Sequence, residues 1–227
     1  SASGKNKGSA KAIREPVTMN LSKDGKFLWV INHLPQMQAN LDQVFTSLNI
    51  YRSEDLKSIA MLDMPPGSFA IRGSEMSRDG KYLFVTHTIG RFTVPTTHLD
   101  RGWINTSAVS IFDAVEQKNL NTVLLDDTMR GAANPWGITV TDDDNWLCVN
   151  ASGTHEVIFI DIKEMFTRID SAVNPKEIVN DLAFLYGAKT RIKLEGQGAR
   201  KIVVKNKIDD IAIISTNNDK VLGEIIA

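Results

Sequence analysis

Cysteine is almost absent from this chain of 227 residues, because Cys148 is the only one. A single cysteine excludes an internal disulfide, and no CxxCH haem-attachment motif exists within these residues. Cys148 lies in an apolar run beside Trp146 and Val149. That setting predicts an inert buried thiol rather than a nucleophile.

An excess of charge of either sign is also lacking, since 26 basic residues face 27 acidic ones. Balanced charge gives no general attraction to nucleic acid or to an anionic membrane. No apolar run approaches the ~20 residues that cross a bilayer. The sequence has no GxGxxG or GK[ST] phosphate loop, no nucleophile elbow and no HxH, HxxxH or HExxH pattern. We therefore expect no nucleic-acid partner, no membrane span, no catalytic residue and no metal site in this chain.

One short phrase, in contrast, occurs three times. LSKDGKFLWV, MSRDGKYLFV and VTDDDNWLCV occupy residues 21–30, 76–85 and 140–149. In each copy a hydroxyl residue precedes a tight polar turn, and a strand pattern follows it. Asp-Gly between two β-patterned runs is a strong hairpin signal, because glycine adopts the positive φ of such a turn without strain. Asp144 replaces that glycine in the third copy, and aspartate tolerates this conformation better than most residues.

Further apolar runs complete each repeat as a unit of four antiparallel strands, which is the composition of a propeller blade. These runs cover residues 48–51, 58–64, 109–113, 122–125, 157–161, 211–215 and 221–226. We therefore predict an all-β fold, a β-propeller with four blades or parts of blades. Blades take about 40 to 50 residues each in such repeats. Because four blades do not close the common ring of about six to eight, we expect other residues or chains to flank them.

The same patterns divide the chain into segments. Residues 1–12 are small, polar and basic, which predicts a disordered or extended arm ahead of propeller blades over 13–227. Apolar residues at helical spacing predict one helical insertion over 163–188 on the outside of the ring. Asn174 and Pro175 would begin its helix and Gly187 would end it.

The fourth unit is shorter than the third. Val157 follows Val140 after 17 positions, whereas Ile211 follows Val204 after only 7. The difference is the length of a turn and a strand. The pattern predicts that about ten residues are missing between Val204 and Asp209, and the alternative is a three-stranded last blade.

Two longer stretches indicate one particular family of β-propeller proteins. Residues 86–113 (THTIGRFTVPTTHLDRGWINTSAVSIFD) and 124–161 resemble the YVTN-type β-propeller proteins of bacterial cell envelopes. In that family the propeller is followed by a cytochrome c domain of the di-haem peroxidase and MauG-like group. The resemblance implies a location in the periplasm or at the cell surface. It also implies electron transfer through haem c in an adjoining domain, outside these residues.

The segment from Thr86 to Ser107 is the candidate partner-binding site. About 20 residues with little strand pattern are long for a connection that neither binds nor packs anything. Arginine and tryptophan are common at the centres of protein interfaces. The candidate residues are His87, Arg91, His98, Arg101, Trp103 and Asn105. Alternatively, Arg91 and Arg101 pair with acids such as Asp100 and cap backbone carbonyls, so that the loop covers the end of the ring.

Three weaker interpretations concern other polar residues. His33, His87 and His155 could converge at one end of the ring. Asp142, Asp143 and Asp144 occupy the repeated turn, so we expect a solvated turn rather than a calcium site. Asp126 and Asp127, followed by Arg130 and Gly131, predict a loop with its own ion pair.

Three functions remain open from the sequence. The first is a non-catalytic scaffold that positions a c-type cytochrome domain or partner for electron transfer. The second is a surface propeller of an outer-membrane assembly that binds protein or glycan without a redox role. The third is a propeller lactonase or hydrolase with a metal in the channel.

Overall fold

The structure is a computed structural model that describes residues 8–92, 95 and 104–194, with the backbone of three strands at 201–204, 210–214 and 221–226. Four antiparallel sheets follow one another along the chain. The first contains β1 (Pro16–Leu21), β2 (Phe27–Asn32), β3 (Ser47–Arg52) and β4 (Ser58–Asp63). The second contains β5 (Ser68–Met76), β6 (Tyr82–Gly90), β7 (Asn105–Asp113) and β8 (Lys118–Leu124).

The third sheet contains β9 (Pro135–Val140), β10 (Trp146–Ala151), β11 (Glu156–Asp161) and β12 (Lys189–Lys193). The last sheet has three strands, β13 (Lys201–Val204), β14 (Asp210–Ile214) and β15 (Val221–Ile226). Within it β13 pairs directly with β14, from Lys201 opposite Ile214 to Val204 opposite Ile211. This is the three-stranded alternative, and the connection at 205–209 lies outside the described residues.

The first strand of each sheet packs beside the first strand of the next, from β1 to β5, β9 and β13 in order. We call these four the inner strands. Buried apolar residues fill the space between successive sheets. Trp29, Ile50 and Leu83 lie in the core between the first and second sheets. Phe84 and Leu147 belong to the core of the second and third. Sheets stacked in this way are the blades of a propeller.

The repeated phrase forms the same turn three times. In the second copy Ser77 Oγ donates to Asp79 Oδ1 at 2.7 Å and accepts from the Tyr82 N–H at 2.9 Å. Ser22 and Thr141 make the corresponding bonds in the other copies. The hydroxyl and the carboxylate therefore close each hairpin from within, which explains why both recur in the sequence.

The turns also join one blade to the next. Lys23 Nζ donates to the Arg78 carbonyl oxygen at 3.0 Å. The Asp144 carboxylate accepts from the backbone N–H groups of Arg78 and Asp79, at 2.7 and 2.9 Å. Asp144 has a φ of +58°, the conformation that glycine has at the other two turns. Aspartate thus replaces glycine where its side chain links two blades.

The helical insertion occupies residues 162–188 between β11 and β12, but its helix begins earlier than expected. An α-helix, α1, spans Ile162–Ser171, and the Asp161 carboxylate caps it by accepting from the Glu164 N–H at 2.9 Å. The segment from Pro175 to Asn180 is only a 3-10 helix, and Asn174 makes no side-chain cap there. Asp161 supplies the stronger cap directly after a strand, so the first half of the insertion takes the α-helix. The 3-10 helix packs against β8, the outer strand of the second sheet.

No helix in the described ranges is long and apolar enough to cross a membrane.

The contact between β5 and β9 gives a test of blade packing. A Cβ on Gly73 would clash with the Trp136 carbonyl oxygen, at a separation well below van der Waals contact, and would lie 3.2 Å from Ile138 Cγ2. We expect Gly73→Ala to lower the free energy of unfolding by about 1–3 kcal/mol, because over-packing forces the two inner strands apart. Urea unfolding measures the change. Gly25→Asn is the control, since Gly25 has open space and asparagine tolerates its φ of +72°. Equal stability of the two variants would contradict the packing.

Candidate functional site

The candidate loop is shorter than the sequence indicates. Because β6 continues to Gly90 and β7 begins at Asn105, the connection covers only 91–104. Three of the six candidate residues, His98, Arg101 and Trp103, lie outside the described residues, so their role stays a prediction. Asp100, the proposed acid partner, lies outside them as well.

His87 is a residue of β6 and is fully buried. Its Nε2 lies 2.9 Å from Ser110 Oγ, which in turn lies 2.7 Å from Thr122 Oγ1. Burial lowers the pKa of His87 to about 3, so the imidazole is neutral. His87 therefore links three strands inside the sheet and is not part of a docking surface, contrary to the expectation from sequence.

Arg91 connects the loop to the helical insertion. Its Nη1 donates to Asn180 Oδ1 and its Nη2 to the Val179 carbonyl oxygen, both at 2.6 Å. The Arg91 N–H also donates to the Ile104 carbonyl oxygen at 2.7 Å, which holds the two ends of the loop together. Arg91 thus caps a carbonyl, as the alternative interpretation had it. Its role is to hold the loop in place.

The exposed groups at the base of this loop are Phe92, Ile104 and Asn105, and we call them the loop-base surface. Phe92 is 56% exposed and Ile104 49% exposed. Asn105 is exposed at the start of β7. A cavity of about 330 Å³ adjoins Phe92. Its apolar lining includes Pro65, Pro66, Ile89 and Val179. Exposed apolar side chains beside a concave, partly apolar cavity are suited to contact with another protein.

A second group of functional interest is a charged cluster between the second and third sheets, which sequence reasoning missed. Arg191 of β12 forms ion pairs with Asp127 at 2.9 Å and with Glu156. Lys189 Nζ lies 2.7 Å from Asp127 Oδ1, and Arg130 pairs with Glu156. We call these five residues the Arg191 cluster. Asp127 and Arg130 form ion pairs with residues of the third sheet, and their backbones hydrogen-bond to each other within the loop. The ion pair expected within the loop itself stays a prediction.

The Arg191 cluster is a structural link. Arg191 also donates to the carbonyl oxygens of Arg130 and Gly131, both at 2.8 Å. Lys189 Nζ donates to the Leu125 carbonyl oxygen at 2.8 Å. The side chains of Arg191, Lys189 and Glu156 are nearly fully buried. Their donors are directed to carbonyls and carboxylates of the protein, so the cluster holds the connection between two blades.

Asp126 and Asp127, neighbours in the connection between β8 and β9, have pKa values that are shifted in opposite directions. Burial raises the pKa of Asp126 to about 6, although its carboxylate accepts hydrogen bonds from the backbone of Ser107 and Ala132. Burial acts in the same direction on Asp127, but its hydrogen bond with Lys189 and the charges of Lys189 and Arg191 outweigh burial and lower its pKa.

The three histidines in the described residues, His33, His87 and His155, do not form a cluster. His33 Nδ1 lies 2.7 Å from the Ile71 carbonyl oxygen, His87 is inside the second sheet, and His155 is exposed before β11. Residues 8–92 and 104–194 contain no group of three His, Cys, Asp or Glu side chains that could hold a metal. In the aspartate turn, Asp143 closes the hairpin and Asp144 caps the neighbouring turn. Burial raises the pKa of Cys148 to about 12, so its thiol is protonated at neutral pH.

Comparison with known proteins gives one curated relative. Hydrazine synthase subunit beta of Kuenenia stuttgartiensis is 26% identical over 162 residues, which cover 69% of this chain and 39% of that subunit. The chain thus spans about two fifths of the length of this relative. No protein-family model matches the chain.

Two solved structures share the fold. Kuenenia stuttgartiensis hydrazine synthase matches with a TM-score of 0.78 and 20% identity, over 93% of this chain and 58% of that chain. The β-propeller domain of Myceliophteria thermophila Cps50 (Swd1) matches with a TM-score of 0.55 and 14% identity, over 98% and 58%. The predicted β-propeller fold is therefore confirmed, and a cytochrome-fused YVTN type stays a prediction.

The Arg191 cluster gives a stability prediction. We expect Arg191→Met to lower the free energy of unfolding by about 3–5 kcal/mol, because it removes one of the two arginines that pair with the buried carboxylate of Glu156 and also breaks the ion pair with Asp127. Arg52→Met is the matched control. Its ion pair with Asp55 is partly exposed, so the expected loss there is below about 1 kcal/mol. Urea unfolding of both variants is the measurement, and similar losses would contradict the role of the cluster.

The two aspartates give a pH prediction. A carboxyl group with a raised folded-state pKa binds its proton more tightly in the folded protein. The stabilising contribution of Asp126 is therefore present below its ordinary value of 3.8 and is lost as the pH rises through about 6. Titration of the side-chain carboxyls by NMR should place Asp126 near 6 and Asp127 below 3.8. A midpoint near 3.8 for Asp126 would contradict its burial.

Proposed function

We propose that this chain is a non-catalytic scaffold in a protein assembly of the bacterial cell envelope, where it positions a c-type cytochrome partner or domain for electron transfer. The observation that carries the proposal is the similarity to hydrazine synthase subunit beta, a protein that is by name one subunit of a larger enzyme. The haem would belong to the partner or adjoining domain, in agreement with the resemblance to propellers that accompany cytochrome c domains.

The loop-base surface is the part of this chain that we assign to the partner. Phe92 and Ile104 present apolar side chains to solvent, and Asn105 adds a polar group beside them. Interfaces place apolar anchors at the centre with polar groups around them. His98, Arg101 and Trp103 belong to the same connection and are proposed to extend this surface.

The anchoring of the loop supports this assignment. Arg91 joins the loop base to the insertion through Asn180 and Val179, and its N–H fixes Ile104. Because a surface that is held in place loses little conformational entropy on binding, a rigid loop base favours docking. The Nη1, Nη2 and backbone N–H donors of Arg91 are used for this purpose.

The test is co-purification of haem with the tagged protein from its native host, measured by Soret absorbance per mole of chain. We expect the double variant Phe92→Ser, Ile104→Ser to retain about tenfold less haem, equivalent to about 1.4 kcal/mol of binding. Val115→Ser is the matched control, because Val115 is 69% exposed in the turn between β7 and β8, at the opposite end of the sheet.

Thermal unfolding shows whether the variants fold equally well. Absence of haem from the purified wild-type assembly would contradict the cytochrome partner and leave a surface scaffold without a redox role. Full haem retention by the double variant would contradict the assignment of the loop-base surface.

A further inference from the structure

Each sheet of this molecule has two faces, and those of the first sheet differ sharply. One face turns toward the second sheet and buries Trp29, Ile31 and Ile50 in their shared core. The opposite face carries Val17, Met19 and Leu21 on the inner strand β1. These three side chains are 45%, 67% and 55% exposed. We call this second face the back face of the first blade.

The repeated turn fixes which residues are equivalent in the other blades. Leu21, Met76 and Val140 immediately precede the hydroxyl residue of the turn, and Met19 therefore corresponds to Ser74 and Ile138. In the third blade Ile138 is 8% exposed and Val140 is fully buried. The second blade covers these positions in the third blade, whereas the corresponding side chains of the first blade are exposed to solvent.

The next strand repeats this difference. Leu83 and Val85 of β6 correspond to Leu28 and Val30 of β2. The two β6 residues are fully buried. Leu147 and Val149 of β10 are also fully buried, whereas Leu28 and Val30 are only half-buried. The first blade thus carries the residue pattern of a blade–blade interface on a face that no described blade covers.

We infer that the back face of the first blade receives a further β-blade, contributed by the same polypeptide. The first three described sheets stack face to face through the same positions, and a further blade would continue this series. This blade is inferred independently of the proposed function.

The existing interfaces also indicate the chemistry of the incoming blade. Ile138 packs opposite Gly73, where any larger residue would collide with it or with the Trp136 carbonyl oxygen. Between the first and second blades, the small Ser74 takes the place of Ile138 and Thr18 takes the place of Gly73. The hydroxyl oxygens of Ser74 and Thr18 lie 2.9 Å apart. Met19 is bulky. The incoming inner strand should therefore carry glycine, or another very small residue, opposite Met19.

The last described sheet does not meet this requirement. Thr18 and Gly73 each lie three residues before the last apolar residue of their inner strands, Leu21 and Met76. In β13 the residue three positions before Val204 is Lys201. A lysine at the position that faces Met19 disfavours this sheet as the occupant, whether it comes from the same molecule or from a second copy.

The test uses cysteine accessibility, because Cys148 is the only cysteine of these 227 residues and is buried. Labelling of the unsubstituted whole polypeptide is measured in parallel and subtracted as background. Met19→Cys is labelled with a maleimide in the 227-residue chain and in the polypeptide expressed from the whole gene. Met129→Cys is the control, since Met129 is 90% exposed in the connection between the second and third sheets. We expect Met19→Cys to react as fast as the control in the 227-residue chain. In the whole polypeptide, at dilution, we expect at least about tenfold protection.

Each other outcome overturns the inference. Equal labelling of the two cysteines in the whole polypeptide would show that nothing covers the back face. Protection that appears only as the concentration of the 227-residue chain rises would identify a second copy as the occupant. Protection that needs an added subunit would identify a different protein.

A charge substitution gives an independent measurement. Met19→Glu should lower the melting temperature of the whole polypeptide but leave that of the 227-residue chain unchanged, because a carboxylate is costly only where the face is covered. Val115→Glu, on an exposed turn, is the control. Equal melting temperatures of Met19→Glu and wild type in the whole polypeptide would overturn the inference.

Discussion

The structure depends on one constraint: a blade cannot bury both of its faces by itself. Strands such as β10 and β11 are almost continuously apolar, so each needs a neighbouring sheet on both sides. The molecule meets this need by close approach of inner strands. At Gly73 the second and third blades come so near that Thr86 Oγ1 donates across to the Trp136 carbonyl oxygen at 3.0 Å. Packing between blades therefore stabilises the fold together with the strand pairing within each blade.

Much of this architecture could be predicted from the sequence, because the repeat is encoded locally. Ser77, Asp79 and Gly80 form their turn with residues only a few positions away, so the pattern is readable in a single phrase. The start of the helix was harder to predict. Asn174-Pro175 is a common start signal for a helix. The α-helix is instead capped by Asp161, which lies 13 positions before Asn174 and is the last residue of β11. A helix that begins directly after a strand is difficult to recognise, because the apolar pattern of the strand runs into that of the helix.

The polar groups were predicted less well, because their environments depend on contacts that are distant in sequence. Nothing near Arg191 indicates that it reaches Asp127 and Glu156, which are 64 and 35 positions away. His87 was placed in a loop because no signal shows that β6 extends to Gly90. Asp144 shows the converse. Asp144 stands where the other two repeats have glycine, and its side chain joins two blades. In a repeat protein, a substitution at an otherwise repeated position is therefore a useful signal of contact between neighbouring repeats.

Hydrogen exchange of the backbone N–H groups in the inner strands measures whether neighbouring blades stabilise one another. β1, β5 and β9 are each edge strands of their own sheets, so they differ mainly in their neighbours. β5 and β9 pack between two inner strands, whereas β1 packs against β5 on one side. If neighbouring blades do stabilise one another, we expect that in the 227-residue chain β5 and β9 exchange only through global unfolding and that β1 exchanges much faster. Equal protection of all three strands would contradict this stabilisation.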